Sequence, residues 1–137
     1  MRRTMTLSRR RFLGAIPAFP FLFGKAEQPQ PQKTKTMVNR FSVAGFQYYQ
    51  GETVIHSLHS GDSLILKAEP GNPHDYYAVE IFHGRTKLGY VPRTDNKHIS
   101  RLLRDQVELT CEVDEACPGS SPWNALSVMV FLISESA

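Results

Sequence analysis

Apolar and polar residues alternate along most of this 137-residue chain, and the alternation runs in short stretches with turn signals between them. Asn39 to Tyr48 alternates partly, with Phe41, Val43 and Gly45 set against Ser42, Ala44 and Phe46, and predicts a first strand. Gly51-Glu52 breaks it. Val54, Ile55 and Leu58 have helical spacing and predict one short turn. Gly61-Asp62 is a turn signal before a strand from Ser63 to Ala68. Ala78 to His83 and Thr86 to Val91 form a hairpin about Gly84-Arg85. Thr94 or Asp95 is the expected cap of a helix running to Gln106. Val107, Leu109, Cys111 and Val113 alternate with Glu108, Thr110, Glu112 and Asp114, a half-buried strand. Leu126 to Ile133 is continuously apolar and suits a central strand. The expected fold is mainly β: about six strands with one or two short helices in a small closed or partly closed barrel.

Charge divides the chain. The net charge of +3 comes from the first 26 residues, which hold six basic residues and no acid. The remainder has 10 Lys+Arg against all 13 Asp+Glu, so the folded part is net acidic. A basic surface covering the whole domain is excluded, and any nucleic-acid site must be a local patch. Residues 1–26 read as an export signal. Ser8-Arg9-Arg10-Arg11-Phe12-Leu13 resembles a twin-arginine motif, with Gly14 where Lys is common. The apolar run from Phe12 to Phe23 is too short to span a bilayer, so no transmembrane segment is expected after processing. Gly24-Lys25-Ala26 offers small residues for cleavage. Residues 27–37, rich in Pro and Gln, read as an extended linker, and residues 38–134 as the domain. The mature protein is then expected in the periplasm or secreted. An internal start at Met37 would instead give a cytoplasmic form.

The loop between the second and third strands carries the candidate chemistry. It reads Glu69-Pro70-Gly71-Asn72-Pro73-His74-Asp75-Tyr76-Tyr77-Ala78. Pro70 and Pro73 fix φ at two points, and Gly71 and Asn72 are suited to positive φ between them. Such a loop holds side chains in fixed positions, which favours recognition of a chemical group. This Glu-Pro-x-Asn-Pro-x-Asp-x-x-Ala pattern, followed by Gly89-Tyr90-Val91-Pro92-Arg93, resembles the HIRAN domain family. Phe41 to Gly51 and the helix from Thr94 to Gln106 extend the resemblance to most of the domain.

The resemblance implies an OB-like β-barrel. It also implies a binding role rather than an enzymatic one: the family is best known as a module of DNA translocases that clamps the 3′-hydroxyl end of single-stranded DNA, and small standalone bacterial members also exist. By position, Tyr48 matches a groove aromatic and Asn72 a polar groove residue. His74 falls where an aromatic is usual, Asp75 at the acceptor of the terminal hydroxyl, and Arg93 at a basic phosphate contact. Gln47 stands where the best-known members have Arg, Tyr90 where they have His, and Tyr77 where they have Asn. These departures lower the positive charge and predict weaker, less salt-sensitive binding of a polyanion.

Each candidate has a structural alternative. Asp75 reads equally as an Asx-turn brace hydrogen-bonded to its own backbone. Tyr49, Tyr76 and Tyr77 read as core packing, since adjacent residues on a strand point to opposite faces. Lys97, Arg101 and Arg104 form a stripe on the helix opposite Ile99, Leu102 and Leu103, either a solvated face or a row of phosphate contacts. Cys111 reads as a buried thiol, with a Cys111–Cys117 disulfide open to it in an oxidising compartment. No metal, cofactor or catalytic motif is present, and His56 and His59 read as surface residues. The expected partner is a single-stranded nucleic-acid end; for an exported chain, an envelope polymer or a protein partner is the alternative.

Overall fold

The computed structural model describes residues 28–136; the export signal expected at residues 1–26 lies outside them. Six strands form one antiparallel sheet: β1 (Lys33–Ser42), β2 (Ser63–Ala68), β3 (Val79–His83), β4 (Thr86–Tyr90), β5 (Leu109–Ala116) and β6 (Leu126–Glu135). Their order across the sheet is β1-β6-β5-β2-β3-β4. The alternating positions turn inward as expected. Leu126, Val128 and Val130 of β6 meet Cys111 and Val113 of β5, and Val79, Ile81 and Leu88 complete the core with Phe41 and Val43. All of these are buried.

β1 and β4 are the two edges of the sheet, yet the chain beyond β1 returns to β4. Ala44 N donates to Tyr90 O (2.8 Å), and Tyr90 N donates to Ala44 O (2.9 Å). That single bridge turns the sheet into a partly closed barrel. Gly89 makes it sterically feasible. A Cβ there would lie 2.4 Å from Ala44 O and 2.6 Å from Val43 Cγ1, and Gly89 has φ 152°. Past the bridge, Gly45 takes φ 71° and starts a 3₁₀ turn, Phe46–Tyr48. The first strand thus ends at Ser42 rather than running to Tyr48, because Gly45 in the left-handed region ends extended backbone. Phe46 is fully buried against Gly51, which opens the short helix α1 (Gly51–Val54).

β1 also begins earlier than composition implies. Lys33–Met37, read above as linker, pair in register with Glu135–Phe131 of β6. This half of the strand has nothing to bury and is held by cross-strand polar pairs. Lys33 meets Glu108, Lys35 meets Glu112, and Thr34 Oγ1 lies 2.8 Å from Ser134 Oγ. Lys35 also sits over the Phe131 ring at 4.3 Å.

The helix α2 (Arg93–Arg104) packs Ile99, Asn96 and Ser100 inward, with Leu102 and Leu103 half-buried. Its cap is Pro92, not Thr94 or Asp95. Asp95 N donates to Pro92 O (2.9 Å), so both predicted caps fall inside the first turn. There the Asp95 carboxylate favours the positive end of the helix dipole. The helix is tied to β1 through Asn39, which donates to Asp95 (3.0 Å) and lies 2.6 Å from His98 Nε2. At the other end Gln106 adopts φ 61°. Its N–H bonds Leu103 O, and Val107 N–H bonds Leu102 O, the paired bonds of a Schellman ending.

Three outcomes follow for stability. Gly89→Ala is expected to lower stability by about 1–3 kcal/mol or more, because the barrel bridge must open. Gly71→Ala, with open space around it and no positive φ, is expected to be neutral or to gain about 0.4–1 kcal/mol. Urea titration of the two glycine variants reads both. Gln106→Gly is expected to raise stability by about 0.5–1 kcal/mol by removing the left-handed strain of a residue with a side chain. An unchanged urea midpoint would show that the neighbouring turn already relieves it.

Candidate functional site

A groove of about 370 Å³ opens where the barrel bridge meets the long β2–β3 loop. Ala44, Gly45, Tyr48 and Tyr49 form one side, Asn72, His74, Asp75 and Arg93 the other, and Ala78, Tyr90 and Val91 complete the lining. That volume lies in the range of small-ligand sites. Six of the seven residues singled out from the sequence are brought together. Gln47 is the exception: it is exposed on the 3₁₀ turn and does not line the groove.

Both tyrosines of the turn face solvent on the groove side. Tyr48 is 76% exposed and Tyr49 37%. The rule of opposite faces fails here because neither residue is on a strand, and Tyr49 is not core as expected. Its ring meets Tyr90 edge-on, with centroids 5.8 Å apart. Tyr76 is likewise no core residue, being 59% exposed. Tyr76 and Tyr77 precede β3 in a turn, and Tyr77 is half-buried, so neither is a core residue.

The loop is built by its own polar groups. Asn72 Oδ1 accepts the His74 N–H (2.8 Å) and the Asp75 N–H (3.1 Å), while its Nδ2 donates to Glu69 Oε1 (2.6 Å). Positive φ is not needed: neither Gly71 nor Asn72 adopts it, because the Asn72 side chain closes the turn instead. Asp75 Oδ1 accepts the Tyr77 N–H (2.9 Å), an Asx turn. Its Oδ2 accepts from Asn96 Nδ2 (2.7 Å), a buried residue of α2. Arg93 donates to His74 O (3.0 Å) and places Nε 3.6 Å from Asp75 Oδ2. Asp75 is thus a brace, and its carboxylate still borders the groove. Each oxygen has a second lone pair, so the brace and a ligand contact are compatible.

Beneath the groove lies a charged network that the strand pattern did not reveal. Lys87 Nζ donates to Tyr90 Oη (2.8 Å) and pairs with the buried Glu80 (3.1 Å). Tyr90 Oη donates to Glu69 Oε1 (3.1 Å), the oxygen that also accepts from Asn72. The Lys87 ammonium lies 4.4 Å from the centre of the Tyr49 ring and 4.2 Å from that of Tyr90. Burial alone would lower its pKa, but the hydrogen bonds and charges of Tyr90 and Glu80 outweigh this and raise it. Burial pushes the Tyr90 hydroxyl up, against the opposing pull of Lys87. The hydrogen bond from Asn72 holds the Glu69 carboxyl below its usual value, against its partial burial. Tyr49, Glu69, Glu80, Lys87 and Asn96 were thus missed as site residues. The signal available was a Glu and a Lys, each the second residue of a short hairpin strand, beside the apolar Val79, Ile81 and Leu88.

The thiols lie apart from this groove. Cys111 and Cys117 are both free in this structure. Burial pushes the Cys111 thiol up to about 12, so it is inert.

The network predicts an acid sensitivity. Because Glu69 has a lowered folded pKa, its contribution is present above the unfolded carboxylate range and is lost as pH falls through the folded value. Stability is therefore expected to drop on acidification below about pH 4.3. Glu69→Gln should shallow that drop. Urea midpoints measured across this range would refute the assignment if the variant and parent curves stayed parallel.

Comparison with known proteins places this geometry. The profile of the HIRAN domain matches residues 38–135. No curated protein matches the sequence. A protein of known structure from Lactobacillus plantarum superposes with a TM-score of 0.66 at 21% identity, covering 75% of this chain and 99% of its own. The HIRAN domain of human HLTF superposes with a TM-score of 0.53 at 15% identity, covering 72% of this chain and 78% of its own. At these identities the two structures support the barrel fold alone. The profile match extends over most of the described residues and takes in both walls of the groove, and on that ground the chain belongs to the HIRAN domain family.

Proposed function

We propose that the groove holds the end of a single nucleic-acid strand, with preference for a free 3′-hydroxyl. One observation carries the reading. A single groove presents two exposed aromatic rings on one side and a carboxylate beside a guanidinium on the other. These are the groups that a strand end calls for. A base needs an aromatic face, worth about 1–3 kcal/mol per base. A phosphate needs Arg or Lys, and a hydroxyl needs an acceptor. Family membership supports nucleic acid as the class of partner, because the HIRAN domain is known as a nucleic-acid-binding module.

The roles follow from position. Tyr48, the most open ring, stacks a base, with Tyr49 beside it. Arg93 is mostly exposed and reaches a phosphate while still tethered to the loop. Asp75 accepts from the terminal hydroxyl through its unused lone pairs, and His74 stands exposed at the rim. The reading is one of binding rather than catalysis: Asp75 is held by two donors and an arginine, which suits it to positioning rather than to proton transfer.

The test compares one oligonucleotide with a 3′-hydroxyl and with a 3′-phosphate. The hydroxyl form is expected to bind more tightly, since the phosphate sets like charge against Asp75. Asp75→Asn keeps the Asx turn and should cost about 1–3 kcal/mol on the hydroxyl end, roughly five- to 150-fold. It should also narrow the gap between the two ends. Tyr48→Ala should lose a similar amount on both ends. Equal affinity for the two ends in the parent protein would refute end recognition.

A further inference from the structure

Beyond Arg93 the groove does not use the outer face of α2, and that face carries an arrangement of its own. Arg93, Lys97, Arg101 and Arg104 fall within about 80° of one another around the helix. At 1.5 Å per residue they follow each other at intervals of about 6, 6 and 4.5 Å along the axis. Beside the row lies the Tyr76–Tyr77 pair, whose rings meet edge-on at 5.2 Å. Arg104 lies over the Tyr76 ring at 4.0 Å, and Arg101 and Lys97 each lie 5.5 Å from the centre of the Tyr77 ring. The carbonyl of Tyr76 accepts from Arg104 Nη2, and Arg104 Nε is buried with no partner among the described residues.

The charge of this face is uncompensated. Lys33, Lys35, Arg40, Lys87 and Arg93 each have a carboxylate within 4.0 Å. Among the described residues Lys97, Arg101 and Arg104 have none. Asp95, the one acid within α2, is turned to Asn39 and Thr94 instead. A net-acidic domain thus gathers three unpaired cations on one helix face, held by aromatic rings rather than by acids. The row starts inside the groove, since Arg93 lines it, and Tyr76 directly follows the lining residue Asp75.

We infer that this face is a second nucleic-acid subsite, which carries the strand leading away from the groove. Lys97 and Arg101 contact successive phosphates, and the exposed part of the Tyr76 ring stacks a base two or more nucleotides from the end. The cations are pre-positioned over the rings, so little side-chain freedom is lost on binding. Stacking of guanidinium on aromatic rings leaves the remaining N–H groups free for phosphate oxygens. The inference rests on the groove reading, because it assigns the path of the same strand.

The experiment measures binding of the full chain to oligothymidylates of two and eight nucleotides, each with a 3′-hydroxyl or a 3′-phosphate, over a range of salt. The parent protein is expected to bind the eight-mer at least tenfold more tightly than the two-mer. Lys97→Gln with Arg101→Gln changes two exposed side chains. The pair should weaken the eight-mer about tenfold and lower its salt slope by about 1.4, the share of two phosphates on a single strand. It should leave the two-mer within about twofold. Tyr76→Ala should weaken the eight-mer alone. Arg85→Gln, on the β3–β4 turn, is the control for general loss of charge and should change neither. Equal losses on both lengths, no loss on the eight-mer, or an equal loss with Arg85→Gln would overturn the second subsite. If the eight-mer depends on Lys97 and Arg101 but ignores the chemistry of its 3′ end, the subsite stands and end recognition falls. If neither length binds at low salt, both fall.

Discussion

The close passage of Ala44 over Gly89 is the contact on which the other features depend. Two hydrogen bonds seal it, and each contributes only about 0.5–1.5 kcal/mol net. Its importance lies in geometry. The bridge joins the edges of an otherwise open sheet and sets the Tyr48–Tyr49 turn opposite the Asn72–Asp75 loop. Without it the two sides of the groove would belong to separate ends of a sheet. Its register is fixed from inside, since Val43 and Phe41 enter the core on one side and Leu88 and Val91 on the other. A slip of one residue would turn these side chains outward.

Electrostatics then acts locally. The folded part is net acidic, so bulk attraction cannot recruit a polyanion. Cations are instead assigned to distinct duties by what surrounds them. Lys87 is consumed by Glu80 and Tyr90 and supports the groove from below. Arg93 is shared between the loop and the groove. Lys97, Arg101 and Arg104 are stacked on tyrosines and keep their charge unspent. The same residue type is a structural pin in one place and a contact surface in another, and only the neighbouring acids and rings tell which.

Much of the barrel was legible because burial imposes parity. Leu109, Cys111 and Val113 turn inward or toward the core as a period of two requires, and the hairpin about Gly84 falls where the turn residues put it. The groove was partly legible, because loop residues that bond their own backbone leave a signature in Pro, Asn and Asp. Features that depend on distant partners were not. Lys33–Thr36 is polar throughout, and only Glu108, Glu112 and Ser134, some 75 to 100 residues on, make it a strand. Nothing local to its short strand marks Lys87, whose role is set by Tyr90, Glu80 and Tyr49 together. Tyr49 was judged by a strand rule, although Gly45 had already ended the strand. Nothing in the helix period distinguishes Asn96, whose partner Asp75 lies 21 residues away.

The polar half of β1 has a bearing on how the protein behaves at high concentration. Its outer backbone edge finds no ladder partner among the described residues, and Met37 and Val38 are exposed along it. An extended, unpaired edge is a template on which another chain can add a strand. Here the register is broken at Val38, and Lys33 and Lys35 stand along the stretch that would be copied. A second chain docking there would meet an irregular ladder and like charges. The polar composition that leaves this strand with nothing to bury thus also makes its outer edge a poor template for strand addition.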